Sequence, residues 1–376
     1  MHVKYIGLYS YLFYYSSNIL TVNQLFGASI MKDDKFEVRK VQITGGGSFI
    51  VSLPKRWAME RRLVRGDRVV FSDGGEGSLI LSPMESFEKS GSSETMFTVH
   101  PLMEPESIIR RVVALYLIGF TVIRMKTTQD RFESLHSDYV KDFVRRKLVG
   151  TEVVSESPNE LTLQVLISYP ELSVDSALRR MVTVTVAMLR DAVSALATNN
   201  VFLAAEVLKM EDEVDRFGFY IVRQLKMASQ SPSIMKHLGL SSGRDIIGYR
   251  LVTKSVERVA DHAVKIAENV KAMRKETPQR LLRNIRELGE EATRFFEDSV
   301  RALYKRNYGD ADEVLKRMNL FKTLEERVLK DMSGQKIDPI QMSFLRLIIE
   351  SMRRVEEYGS DIAEVVLNLT AVSPEQ

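Results

Sequence analysis

Cysteine is absent from all 376 residues. That excludes disulfides, zinc ribbons and thiol nucleophiles, and it fits a reducing, cytoplasmic setting. Neither sign of charge prevails: 53 Lys and Arg stand against 50 Asp and Glu, a net of +3. The whole-chain charge therefore implies no partner, and only its local distribution is informative. After residue 30 the sequence reads as having no apolar run able to span a bilayer, so stable membrane insertion is not expected. There is no glycine-rich phosphate loop and no Ser/His/Asp arrangement. What remains is 44% hydrophobic and 27% charged, the composition of a soluble globular chain of two or three domains.

Residues 1–30 form an apolar, tyrosine-rich N-terminal extension with Tyr5, Tyr9, Tyr11, Phe13, Tyr14 and Tyr15. Ser10, Ser16, Ser17 and Asn18 interrupt it, and no small-residue cleavage site follows, so neither a membrane span nor a signal peptide is expected. Met31-Lys-Asp-Asp-Lys35 offers a second translation start.

Residues 37–84 read as a small basic β unit. Val38, Val41 and Ile43 alternate with Arg39, Lys40 and Gln42; Gly45-Gly-Gly47 is a turn; Ser48 to Leu53 is a strand ending at Pro54. A short helix follows from Pro54, then the turn Arg65-Gly-Asp67 and strands at 68–72 and 78–82. Such a unit has too little core to stand alone, so a homodimer is expected. Arg39, Lys40, Lys55, Arg56, Arg61 and Arg62 are candidate DNA-binding residues, with Arg65 and Arg68 beside them. The competing reading is a set of solvated edge charges that keep strands from aggregating. The run Ile50-Val-Ser-Leu-Pro-Lys55 with Gly66-Asp67 and Leu79-Ile-Leu81 resembles the AbrB, or swapped-hairpin, DNA-binding domain. The resemblance implies two chains interleaved into one barrel that presents arginines to DNA. The triple glycine departs from that family's usual single one.

Glu85 to Thr95 reads as a Ser/Gly/Glu-rich linker. Residues 96–172 read as an α+β connecting domain: a helix from Pro105 to Leu117, a strand at 119–125, a helix over 131–148 and paired strands at 152–155 and 161–167. Glu133-Ser-Leu-His136 has the Glu-x-x-His spacing of di-iron bundles. Only one copy exists, and it is read as a surface pair on a helix.

Residues 173–370 hold an internal duplication. Ser255 to Val270 matches Ser351 to Val366, 96 positions later, and Glu206-Val-Leu-Lys209 matches Glu313-Val-Leu-Lys316, 107 positions later. A longer turn in the first copy, with Pro232 and Gly239, accounts for the difference. The expected product is two three-helix units, 173–276 and 278–370, packed antiparallel into one six-helix body. The fold class is thus multidomain: a small all-β barrel, an α+β segment and all-α tandem three-helix bundles.

Glu211 and Asp215 share one helix face, as do Glu257 and Asp261, with Asp212 alongside. Carboxylate clusters of this kind suit hard cations such as iron, manganese or magnesium. The alternative is a solvated acidic face paired with Arg258 and Lys265. Glu211-Asp-Glu-Val-Asp215, Glu257-Arg-Val-Ala-Asp-His-Ala263 and Ile266-Ala-Glu268 resemble the PhoU family of phosphate-uptake regulators. That resemblance implies a metal site at Glu211, Asp212, Asp215, Glu257 and Asp261, with iron or another hard metal ion as cofactor. It also implies the phosphate transporter's ATPase or a sensor protein as partner. An AbrB-like unit ahead of PhoU repeats resembles an arrangement in archaeal proteins. In the second copy Arg353 and Glu357 stand for Glu257 and Asp261, and Asn319 and Lys322 for Asp212 and Asp215. Cationic residues there oppose a metal and point instead toward an anion. His262 reads as a helix-surface or outer residue rather than a ligand.

These features lead to a cytoplasmic, non-catalytic regulator of phosphate uptake whose N-terminal unit binds promoter DNA as a homodimer. Two alternatives stay open. One is an adaptor whose β unit only dimerises it. The other is a metal-dependent helical-bundle enzyme, which the lack of paired Glu-x-x-His motifs disfavours.

Overall fold

The computed structural model describes residues 37–75, 77–84, 94–167 and 172–371. The 1–30 extension and most of the expected linker lie outside these residues. The chain divides into two compact units, the first ending at Val69 and the second beginning at Val70.

The first unit contains the hairpin β1 (Gln42–Thr44) and β2 (Ser48–Ile50), turned by Gly45 to Gly47 with Gly47 at φ 85°, and the helix α1 (Lys55–Glu60). Both strands are shorter than the alternation suggests. No described residue of this unit is buried, and Val38, Val41, Ile43, Phe49 and Val64 are all exposed. A second hairpin, β3 (Val69–Gly75) with β4 (Ser78–Pro83), is a separate two-stranded sheet.

An α+β layer follows. Its elements are β5 (Glu94–Val99), α2 (Pro105–Ile118), β6 (Val122–Thr127), α3 (Ser134–Lys147), β7 (Thr151–Ser157) and β8 (Glu160–Val165). The sheet order is β5-β6-β8-β7, with β5 and β6 parallel and the rest antiparallel. Phe97, Val99, Ile123, Met125, Leu161 and Leu163 pack on Ile108, Val112, Tyr116, Val140 and Val144 of the two helices. Two expectations are corrected here. Glu94 and Thr95, assigned to the linker, open β5, because their backbone completes the ladder with Val122 and Ile123. His136 is not on the surface: it is buried, and its Nε2 lies 2.8 Å from the Met103 carbonyl.

The helical body comprises α4 (Val174–Thr198), α5 (Val201–Gln230), α6 (Pro232–His237), α7 (Gly243–Ala272), α8 (Gln279–Lys305), α9 (Tyr308–Lys316), α10 (Met318–Ser333) and α11 (Pro339–Thr370). Repeat 1 is α4, α5 and α7; repeat 2 is α8, α9 with α10, and α11. The longer turn of repeat 1 contains the one-and-a-half-turn α6, which the sequence reading treats as a turn. The middle helix of repeat 2 breaks at Arg317, between α9 and α10, and the Arg317 guanidinium bonds Glu291 and Asp298 of α8. By length and composition α4 can cross a bilayer, contrary to the reading above. Its Ala177, Leu178, Met181, Met188, Leu189 and Ala192 are instead buried in the bundle core.

The duplication is visible residue by residue. Asn199 and Arg306 both close their helices in the left-handed region, at φ 49° and 47°. Asn200 and Asn307, which follow them, both cap the next helix with a side-chain oxygen. Equivalent positions also meet each other. Arg190 bonds Glu297, 107 positions on, and the rings of His262 and Tyr358, equivalent at an offset of 96, lie 5.9 Å apart. Contacts between equivalent residues fall on a twofold axis, so the two repeats pack about an internal pseudo-twofold.

Candidate functional site

The five acidic residues expected at a metal site are gathered where α5 and α7 run side by side. Burial and the neighbouring charge of Asp215 push the Glu211 carboxyl upward, and Asp261 also acts on it. Burial, then Glu257 and Asp215, push Asp261 upward in turn. The faces expected from sequence spacing therefore do converge.

Their counter-charge comes from elsewhere in the chain. The last turn of α3 carries Arg145, Arg146 and Lys147, where cations also complement the helix dipole. Lys147 Nζ lies 2.5 Å from Asp212 Oδ1 and 2.7 Å from Asp215 Oδ2, and Arg146 Nη1 lies 3.0 Å from Asp212 Oδ2. Burial works against the Lys147 ammonium, but its hydrogen bonds to Asp212 and Asp215 outweigh that and raise its pKa. Burial would raise Asp212; Lys147 and Arg146 hold it below its ordinary value instead. Glu257 accepts from Lys254 at 2.6 Å. Glu211 and Asp261 make no ion pair among the described residues. This donor set does not fit a hard cation in the docked arrangement: three of the five carboxylates are committed to ammonium or guanidinium groups. No group of three or more metal-ligating side chains with suitable geometry occurs among the described residues.

The α+β layer is anchored to the same helix by a second cation. Arg223 of α5 is buried and donates to the carbonyls of Tyr116, Gly119 (3.0 Å) and Phe120 (3.0 Å), at the end of α2. Its guanidinium also lies 4.8 Å from the centre of the Tyr116 ring. The carbonyls at a helix C-terminus carry the negative end of the helix dipole and attract such a group. Phe143 on α3 meets Phe219 on α5 with ring centroids 6.4 Å apart.

The corresponding region of repeat 2 is acidic. Arg353, which replaces Glu257, is shared among Glu350 (2.5 Å), Glu325 (3.9 Å) and Glu357 (3.9 Å). It is thus enclosed by carboxylates, and the anion preference expected of this copy has no free cation behind it at that position. The ion pair Lys254–Glu257 of repeat 1 reappears as Glu350–Arg353 with its charges exchanged. Glu325 and Glu356 take the places of Gly218 and Ala260. Glu356 is 5% exposed, and burial, then Glu357 and Glu325, raise its carboxyl to about 7. His262 is half-buried at the pseudo-twofold axis, against the ring of Tyr358. Its Nδ1 is buried without a hydrogen-bond partner, and burial, then Lys265 and Arg354, lower its pKa to about 4.

The six candidate DNA-binding residues, Arg39, Lys40, Lys55, Arg56, Arg61 and Arg62, are all exposed. Two are locally paired, Arg39 with Glu37 at 2.5 Å and Arg56 with Glu60 at 2.8 Å.

Sequence reasoning missed Lys147, Arg146, Arg223 and the Glu325–Glu356 pair. Superposing the two copies of the duplication would have shown the last, as two glutamates where Gly and Ala stand. Arg223 interrupts the apolar run Phe217 to Leu225, which is itself a signal.

The PhoU domain model matches residues 178–270, within repeat 1. The model of the MazE antitoxin, "antidote-toxin recognition MazE", matches residues 42–89. A phosphate-specific transport system accessory protein PhoU homolog of Clostridium acetobutylicum is 25% identical over 200 residues, spanning 52% of this chain and 89% of that one. The crystal structure of PhoU from Pseudomonas aeruginosa aligns at 21% identity and a TM-score of 0.47, covering 52% of this chain and 94% of that chain. The phosphate transport system regulatory protein PhoU from Streptococcus pneumoniae aligns at 14% identity and a TM-score of 0.46, covering 52% and 92%. The chain thus carries a region similar to the PhoU domain within repeat 1 and, ahead of its helical bundle, a region similar to the MazE antitoxin.

Proposed function

We propose that this protein is a cytoplasmic, non-catalytic regulator of phosphate uptake, in which the PhoU half contacts the phosphate transporter's ATPase or a sensor protein. The observation that carries this reading is the PhoU match within a duplicated helical bundle, together with a relative described as an accessory protein of phosphate-specific transport. The N-terminal unit binds promoter DNA of phosphate-transport genes as a homodimer. Two features support that: six exposed basic side chains, and an apolar surface at Val38, Val41, Ile43 and Phe49 that a single chain leaves uncovered. A second copy would bury it.

Fluorescence anisotropy on fragments upstream of phosphate-transport genes tests the DNA arm. Charge reversal of Arg39, Lys40, Lys55 and Arg56 should abolish saturable binding, and the native chain's affinity should fall steeply with salt, with a log–log slope of about −0.9 per phosphate neutralised. Equal binding by native and reversed chains refutes it in favour of an adaptor that only dimerises through this unit.

A further inference from the structure

We propose that Lys147 is the built-in cation of the repeat 1 carboxylate cluster, so that a hard metal ion and the docked α+β layer exclude one another. The argument starts from the oxygens. A metal held between α5 and α7 needs several of Glu211, Asp212, Asp215, Glu257 and Asp261 as ligands. Asp212 and Asp215, on α5, are the two that Lys147 bridges at 2.5 and 2.7 Å. An ammonium has three donors and no lone pair, so it satisfies carboxylates but cannot join them around a metal. A divalent ion placed on the same oxygens would face the Lys147 charge at contact distance, with Arg146 at 3.0 Å beside it.

Lys147 cannot simply swing away. Its side chain is 14% exposed and belongs to a layer fixed to α5 at two further points: Phe143 on Phe219, and Arg223 in the carbonyls that end α2. Admitting a metal therefore requires α3 to lift from α5. The two states are linked: whatever binds the cluster loosens the layer, and whatever clamps the layer empties the cluster of metal. Repeat 2 has the analogous cation in cis, with Arg353 among Glu325, Glu350 and Glu357. The acidic face of each repeat is thus neutralised by a cationic side chain, borrowed from the preceding layer in repeat 1 and supplied by its own third helix in repeat 2. This inference stands apart from the DNA-binding reading.

The test is equilibrium dialysis of the full chain against Mn²⁺, with bound metal read by electron paramagnetic resonance. Lys147→Met should bind Mn²⁺ more tightly than the native chain by on the order of tenfold or more, the factor that one charge-assisted hydrogen bond represents. Adding Asp261→Asn should remove the gain. Native and Lys147→Met chains that bind equally, or a variant that gains nothing, overturn the proposal. Hydrogen exchange on the native chain gives an answer that does not depend on the variant folding. As Mn²⁺ is raised, any binding that Asp215→Asn abolishes should come with faster exchange in Ser134–Lys147. Binding with α3 still protected overturns the proposal.

Discussion

Glu356→Gln should stabilise this protein in a strongly pH-dependent way. Glu356 is 5% exposed, and its carboxyl is raised from 4.5 to about 7 by burial and by the charges of Glu357 and Glu325. Below pH 4.5 the folded and unfolded chains both hold the proton, and the residue carries no electrostatic cost. Between 4.5 and 7 the unfolded chain releases the proton while the folded chain keeps it, so stability falls as pH rises. Above 7 the full cost is in place. A shift from 4.5 to about 7 corresponds to about 3 kcal/mol. Glutamine keeps the shape without the charge. For a body of this size, about 3 kcal/mol is a rise in Tm on the order of 6–12 °C. Differential scanning calorimetry at pH 5 and pH 8 should show the variant little changed at the first and raised by that amount at the second. A gain that is the same at both pH values, or a loss at pH 8, refutes the reasoning.

Three other outcomes follow from the same physics. Arg223→Met should release the carbonyls that end α2, at about 3 kcal/mol; faster amide exchange in residues 115–120, with α7 and α11 unchanged, checks it. Gly289→Ala puts a Cβ 2.7 Å from Val193 Cγ2 and 2.8 Å from Met352 Cε; urea unfolding should show a loss of about 1–3 kcal/mol. His262 has its pKa lowered from 6.5 to about 4, chiefly by burial, so it contributes stability above pH 6.5 that is lost as pH falls toward 4. Denaturant midpoints of His262→Phe should decline less than the native ones over that range.

The helices were legible because their apolar stripes are long and their caps local. Ser173 and Asn200 cap α4 and α5 from the residue just before each helix, and the duplication added a second reading of each helix. The convergence of Glu211 and Asp215 with Glu257 and Asp261 was legible for the same reason, since spacing along a helix fixes a face. Long-range contacts were not. Nothing around Lys147 marks it as the partner of Asp212, 65 positions away, because that contact depends on how two layers dock. His136 was misread because its partner is the carbonyl of Met103 on a different element. β5 escaped because a strand's identity lies in its ladder with β6 as much as in its own residues.

The pair at the pseudo-twofold axis has a consequence for how this chain can be assembled. Were each repeat a separate protein pairing with itself, Arg190 would face Arg190 in one dimer and Glu297 would face Glu297 in the other. Both juxtapositions repel, whereas the mixed pair attracts. The two halves have become complementary rather than interchangeable. Cut between them and supplied as two polypeptides, they should seek each other and avoid themselves, so that fusion into one chain is now written into the charges on the axis as well as into the peptide bond.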